Sequence, residues 1–152
     1  MGADLYIKIL HKEAEEKYDR QLDKYIRLRD EAEDEEKREK YQEKVEYYFD
    51  KIYNARNGYY RDSYNDSNLL WKMELDYWIW FMGFMNKNGL LTVRNTRKVL
   101  KEITSKKRQD LLKKNIAELD KESRDYFLDK NKTFQQFLKR AIEMKQPIVC
   151  SV

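Results

Sequence analysis

Residues 61–85 read RDSYNDSNLLWKMELDYWIWFMGFM. From Leu69 to Met85 the stretch is apolar at nearly every position and carries all three tryptophans, Trp71, Trp78 and Trp80. A helix that is apolar on all sides is normally enclosed by other helices. The stretch therefore predicts a buried central helix over 69–85. Asp66 or Ser67 can cap its start, because a side-chain oxygen can accept from a free backbone N–H. Asn88-Gly89 supplies a turn after it.

The flanking sequence fits helices around such a centre. Leu10, Ala14, Tyr18, Leu22, Tyr25 and Ile26 fall on one helical face, and Tyr41, Val45, Tyr48 and Ile52 on another. The acidic break near Glu31–Glu35 separates these two helices, and Gly58 is a good stop for the second. Together they predict an antiparallel hairpin. Thr92 can cap a fourth helix carrying Val93, Val99, Leu100 and Ile103, and Lys106–Leu119 reads as a fifth. The last helix runs over 123–145, with Tyr126, Phe134, Phe137, Leu138 and Ile142 inward, until Pro147 stops it. Leu5, Ile7 and Ile9 alternate, which is a strand pattern. Ile148-Val149 could pair with it and tie the termini together. The expected fold is a single, mainly helical domain over 1–152, with about five helices around 69–85.

Bulk composition supports that class. Only 4 Gly and 1 Pro occur in 152 residues, too few for the turns of an all-β protein. Twenty-one aromatic residues (3 Trp, 12 Tyr, 6 Phe) argue against disorder. One Cys and no secretory leader point to a reducing, cytoplasmic setting. The longest apolar run, 77–85, is too short to span a membrane. The net charge of +4 is too small by itself to imply nucleic acid. Charge is uneven, however. Residues 11–51 hold 11 basic and 15 acidic side chains, whereas 94–145 hold 16 basic and 8 acidic ones. The densest basic cluster is Lys106, Lys107, Arg108, Lys113 and Lys114.

Several chemistries lack their residues. Zinc sites need Cys and His at close spacing, and this chain has one of each, His11 and Cys150. His11 is the sole His available to a nucleophile–base site, and it reads as a surface residue at the start of a charged helix. Cys150 reads as a packed thiol. No P-loop, dinucleotide fingerprint or EF-hand spacing occurs. No metal or cofactor is indicated.

One constellation concentrates binding chemistry. Residues 57–71, NGYYRDSYNDSNLLW, bring together an arginine, two acids, several amides, tyrosines and Trp71. Arg61 offers a bidentate fork for phosphate or carboxylate. Tyr60, Tyr64 and Trp71 offer stacking surfaces, and Asn65 and Asn68 both donate and accept. Asp66 completes the set. Helix capping and turn wiring use the same residue types.

Three segments also carry a resemblance. Gly2-Ala3-Asp4-Leu5-Tyr6-Ile7, Arg61–Trp71 and Pro147-Ile148 followed by Cys150-Ser151 resemble a family of short bacterial and phage proteins. The resemblance spans nearly the full length and in the central segment stops at Trp71. It implies one domain whose termini and central stretch share a structural core, and it implies no activity.

Three functional expectations follow. The first is non-catalytic sequestration of a small anionic or nucleotide-like ligand by Asp4, Tyr6, Tyr60, Arg61, Tyr64, Asn65, Asp66, Asn68 and Trp71, a use suited to a phage counter-defence protein. The second is a protein-interaction module, an inhibitor or adaptor of a host protein, acting through the acidic hairpin or the basic 106–114 face. The third is a small hydrolase using Asp62 and Asp66. No membrane partner is expected, nucleic acid is disfavoured, and self-association is left open.

Overall fold

The computed structural model describes residues 1–152. It is mainly helical with a small four-stranded antiparallel sheet. Strand β1 (Gly2–Tyr6) leads directly into helix α1 (Lys8–Glu31), and α2 (Glu35–Ile52) returns beside it. Strand β2 (Tyr59–Ser63) precedes a single helical turn, α3 (Leu69–Lys72). After β3 (Leu90–Leu91) come α4 (Val93–Ile103), α5 (Lys106–Ile116), α6 (Lys121–Glu143) and β4 (Ile148–Ser151).

The sheet order is β2-β1-β4-β3. The termini do pair, with Leu5 opposite Cys150 and Tyr6 opposite Val149. On its other side β1 pairs with β2, setting Asp4 opposite Arg61 and Tyr6 opposite Tyr59. Residues from 2–6, 59–63 and 148–151 thus meet in one sheet. Because successive strand side chains point to opposite faces, Ala3, Leu5, Tyr60, Asp62, Ile148 and Cys150 are buried on the inner face. Asp4, Tyr6, Tyr59, Arg61 and Val149 lie on the outer face. Gly58 closes the corner before β2 with a φ of +76°. Its carbonyl accepts from Ile7 N–H at 2.8 Å. A Cβ there would stand 2.6 Å from the Ile7 carbonyl oxygen.

The main core is a cluster of 22 buried residues. Helix α6 supplies Phe127, Phe134, Phe137, Leu138 and Ala141 to it, and α4, α5 and the inner sheet face surround that stripe. Tyr126, expected inward, is 45% exposed. The α1–α2 hairpin is built separately. None of the 22 core residues lies between Lys8 and Ile52. The hairpin holds itself together with Leu22, Val45 and Ile52, edged by Tyr18, Tyr25, Ile26, Tyr48 and Tyr53. Tyr25 and Tyr48 stack across it at 5.7 Å. At 1.5 Å per residue, α1 is about 36 Å long. Asp34 caps α2 by accepting from Glu36 N–H, and Arg29 reaches across to Gln42 at 2.9 Å.

The expected central helix over 69–85 does not form as one piece. α3 ends after one turn, and Glu74 takes a left-handed φ of +59°. Asp76 then caps a new start by accepting from Ile79 N–H at 2.8 Å, and Tyr77–Phe81 continues as a π-turn followed by a 3-10 turn, Met82–Phe84. Helix α5 accommodates the break. Arg108 donates to the Met73 carbonyl at 3.2 Å, and Asn115 donates to that of Lys72 at 3.0 Å. The break lets Met73, Leu75, Tyr77 and Phe81 all point inward. It turns Trp78, Ile79 and Met82 outward, at 50%, 85% and 44% exposure.

Candidate functional site

The sheet divides the nominated residues between its two faces. On the inner face, Asp62 is fully buried and is the hub of a closed network. Its carboxylate accepts from Leu69 N–H at 3.0 Å and from the Tyr77 hydroxyl at 2.8 Å. Lys130 Nζ of α6 stands 3.2 Å from it and also donates to the Tyr126 hydroxyl at 3.0 Å. Buried charges persist when paired and hydrogen-bonded, and this pair ties the β2–α3 corner to α6. Tyr60 stacks on Phe134 at 4.5 Å, and its hydroxyl is buried without a partner. Burial, then the Asp62 charge, pushes the Tyr60 phenol well above its ordinary range. Burial, then Tyr60 and Asp62, does the same to Tyr77.

The turn between β2 and α3 is wired internally. Asn65 accepts from Ser67 N–H at 2.8 Å. Asn68, fully buried, accepts from Trp71 N–H at 3.0 Å and donates to the Ser63 carbonyl at 2.8 Å. These are the capping roles that satisfy loose backbone groups. Asp66 is exposed and lines an open cleft of about 490 Å3 with Ser67, Lys72, Glu122 and Tyr126 among its walls. Asp62 does not reach that cleft, so the two acids do not form an open catalytic pair. Tyr64 packs on Trp78 at 4.6 Å with its hydroxyl buried and unpartnered. Trp71, 39% exposed, lies 6.5 Å from Trp78. Trp78, Ile79 and Met82 are exposed, where a buried helix over 69–85 would have placed them inside.

On the outer face, Asp4, Tyr6 and Arg61 do come together. Arg61 Nη1 pairs with Asp4 Oδ1 at 3.1 Å, and the Tyr59 hydroxyl donates to the same oxygen at 2.6 Å. Burial first, then the bond to Asp4, pushes Tyr59 up to about 12. Arg61 is therefore engaged within the protein.

His11 joins this face from the first turns of α1. It is buried, not on the surface as the charged sequence around it suggests, and it sits among the rings of Tyr6, Tyr53 and Tyr59 at 4.9, 5.2 and 6.0 Å. Its Nε2 meets Glu15 Oε1 at 2.9 Å, while Nδ1 is buried without a partner. The i,i+4 spacing of His11 and Glu15 is legible in sequence, but the aromatic surround is not, because Tyr53 and Tyr59 arrive from distant segments.

Cys150 packs on the inner sheet face, and burial pushes its thiol up to about 12. No three His, Cys, Asp or Glu side chains converge in a metal-holding arrangement. No helix is long and apolar enough to cross a membrane. No protein-family model, curated protein or solved structure matches the chain at a significant level.

Proposed function

We propose that the chain is a protein-interaction module that presents the α1–α2 hairpin as a docking arm to a partner with a basic surface. The observation that supports this reading is the hairpin's separate construction. None of the 22 buried core residues lies between Lys8 and Ile52, where only Leu10 packs against that core, and the hairpin coheres through its own cluster of Leu22, Val45 and Ile52. Its long exposed faces are thus free to meet another surface. Charge adds direction. Within 31–39 lie six acids, Glu31, Glu33, Asp34, Glu35, Glu36 and Glu39, against Lys37 and Arg38. Such a tip attracts a basic surface, and complementarity of this kind sets encounter rate and register more than raw affinity.

The polar constellation at 61–68 fits this reading better than open ligand capture. Asp62, Asn65 and Asn68 are committed to backbone groups and Lys130, and Arg61 to Asp4. The test is comparative capture from host lysate with three baits. These are the parent chain, an E33K/E36K/E39K tip variant and a K107Q/K113Q/K114Q body variant, each checked for unchanged helicity. A partner retained by parent and body variant but lost from the tip variant is expected. Equal recovery on parent and tip variant, or no stable partner on any bait, rejects the arm as the docking element.

A further inference from the structure

We infer that the solvent face of α4 is a docking surface for the phosphate backbone of a nucleic-acid duplex. Helix α4 buries Thr96, Val99 and Ile103. On its opposite side lie Arg94, Arg97, Lys98 and Lys101, all exposed. Their spacing of i, i+3, i+4 and i+7 places them in one stripe. Over seven residues at 1.5 Å each, the stripe is about 10 Å long. None of the four belongs to any ion pair of the chain. The one acid of α4, Glu102, is held by Arg108 at 2.8 Å.

The arrangement works against the helix that carries it. Each cation stands three or four positions from two of the others, and like charges at that spacing are destabilising. Arg94 also sits in the first turn, which holds no acid, where the helix dipole disfavours a cation. Other helices of the chain do the opposite. Lys12 stands beside Glu16, Lys40 beside Glu36 and Lys106 beside Asp110. A polyanion lying along α4 removes the repulsion within the stripe. The chain's small net charge of +4 conceals this surface, because residues 11–51 carry more acids than bases.

Nucleic acid fits the stripe better than an acidic protein does. The core of a protein interface is apolar and depleted of charged residues, and the stripe has no apolar member. A duplex needs none. It presents one negative charge per about 1.7 Å of its axis and releases counterions when cations neutralise its phosphates.

The experiment follows binding of the full chain to a fluorescent, mixed-sequence DNA duplex by anisotropy as salt is raised. Four phosphate contacts give log K a slope of about −3.6 against log salt, so affinity should fall about 150-fold between roughly 50 and 200 mM. R97Q/K98Q should make the slope shallower by about 1.8. R94Q/R97Q/K98Q/K101Q should abolish binding. The helicity of that quadruple variant, read by circular dichroism, should be no lower than the parent's, because like charges leave one helix face. K12Q/K24Q removes two cations from the hairpin instead and should leave the slope unchanged. Absent binding at low salt, a slope that R97Q/K98Q leaves intact, or an equal change in K12Q/K24Q overturns the assignment. So does poly-glutamate binding as tightly as the duplex, which is the result that an acidic protein partner predicts.

Discussion

Removing the Asp62 carboxylate tests whether the buried hub, more than the surrounding apolar contacts, fixes the β2–α3 corner. In an Asp62→Ala chain, Leu69 N–H and the Tyr77 hydroxyl both lose their acceptor, and Lys130 loses its counter-charge. A buried donor left unpaired costs about 1–3 kcal/mol. Breaking a buried ion pair on one side costs about 3–5 kcal/mol. The terms overlap, because Lys130 is still 11% exposed and keeps its bond to Tyr126. The expected loss is therefore about 4–6 kcal/mol, a large fraction of the roughly 5–15 kcal/mol that a domain has. Asp62→Asn retains one acceptor and should lose about 2–3 kcal/mol. Lys130→Met leaves the carboxylate with two hydrogen bonds and should lose about 3 kcal/mol. The Asp62→Asn, Lys130→Met double variant should be less destabilised than the two singles combined, by about 1.5 kcal/mol or more. Urea unfolding at neutral pH, followed by tryptophan fluorescence and circular dichroism, gives all four values. A loss below about 1 kcal/mol for Asp62→Ala, or a coupling near zero, would refute the reasoning.

Three further outcomes are expected. Gly58→Ala should lose about 2 kcal/mol or more, since a left-handed φ and a Cβ 2.6 Å from the Ile7 oxygen both oppose it; a thermal midpoint equal to the parent's counts against that account. Lys145→Gly should gain up to about 1 kcal/mol, because Lys145 sits at φ +55° beyond the end of α6, where Gln146 N–H bonds back to the Ala141 carbonyl in a glycine-favouring cap; urea midpoints decide it, and a loss of stability is the contrary result. Stability should also fall at alkaline pH. The unfolded chain releases protons from its cysteine and tyrosines near their ordinary values of 9.0 and 10.0, while folded Cys150, Tyr60 and Tyr77 hold theirs to higher pH. The unfolded state then binds fewer protons, so each group removes about 1.4 kcal/mol per pH unit above its unfolded value until its folded value is reached, about 12 for Cys150. Urea midpoints that stay level from pH 8 to about pH 11 would contradict this.

Much of the fold is legible locally. The alternation of Leu5, Ile7 and Ile9 is a period-2 signal, although the strand ends at Tyr6 and Ile9 lies exposed on α1, and the faces of α1, α2 and α6 follow the helical period. Pairing of the termini is also readable, since both ends carry short β-prone runs with few other partners. The break at 73–76 is not. Glu74 takes a conformation that ordinarily selects glycine, and the side chains that satisfy the freed carbonyls, Arg108 and Asn115, arrive from α5. Asp76 is a legitimate cap residue, but in a run so apolar its signal is masked. A continuous helix would place Trp78, Ile79 and Met82 inside, and the break turns all three outward. The nominated residues fared according to strand parity. Asp4, Tyr6 and Arg61 share the outer face, while Tyr60 and Asp62 alternate to the inner one, a division that needs the β1–β2 register. The environment of His11 depends on Tyr53 and Tyr59, more than forty positions away in sequence.

The order of strands has a consequence for how the molecule is made. Of the four strands β1 is made first, yet it occupies the interior of the sheet and needs β4, made after the other three, as one of its two neighbours. Until Ile148–Ser151 emerges, one edge of β1 and the inner apolar side chains beside it lack their final cover. Contacts of such high sequence separation slow folding and prolong exposure of strand edges. The body of the hairpin faces less of a wait, because the cluster that holds it together lies within residues 18–53. During synthesis the hairpin can therefore form while the body that carries it is still unassembled.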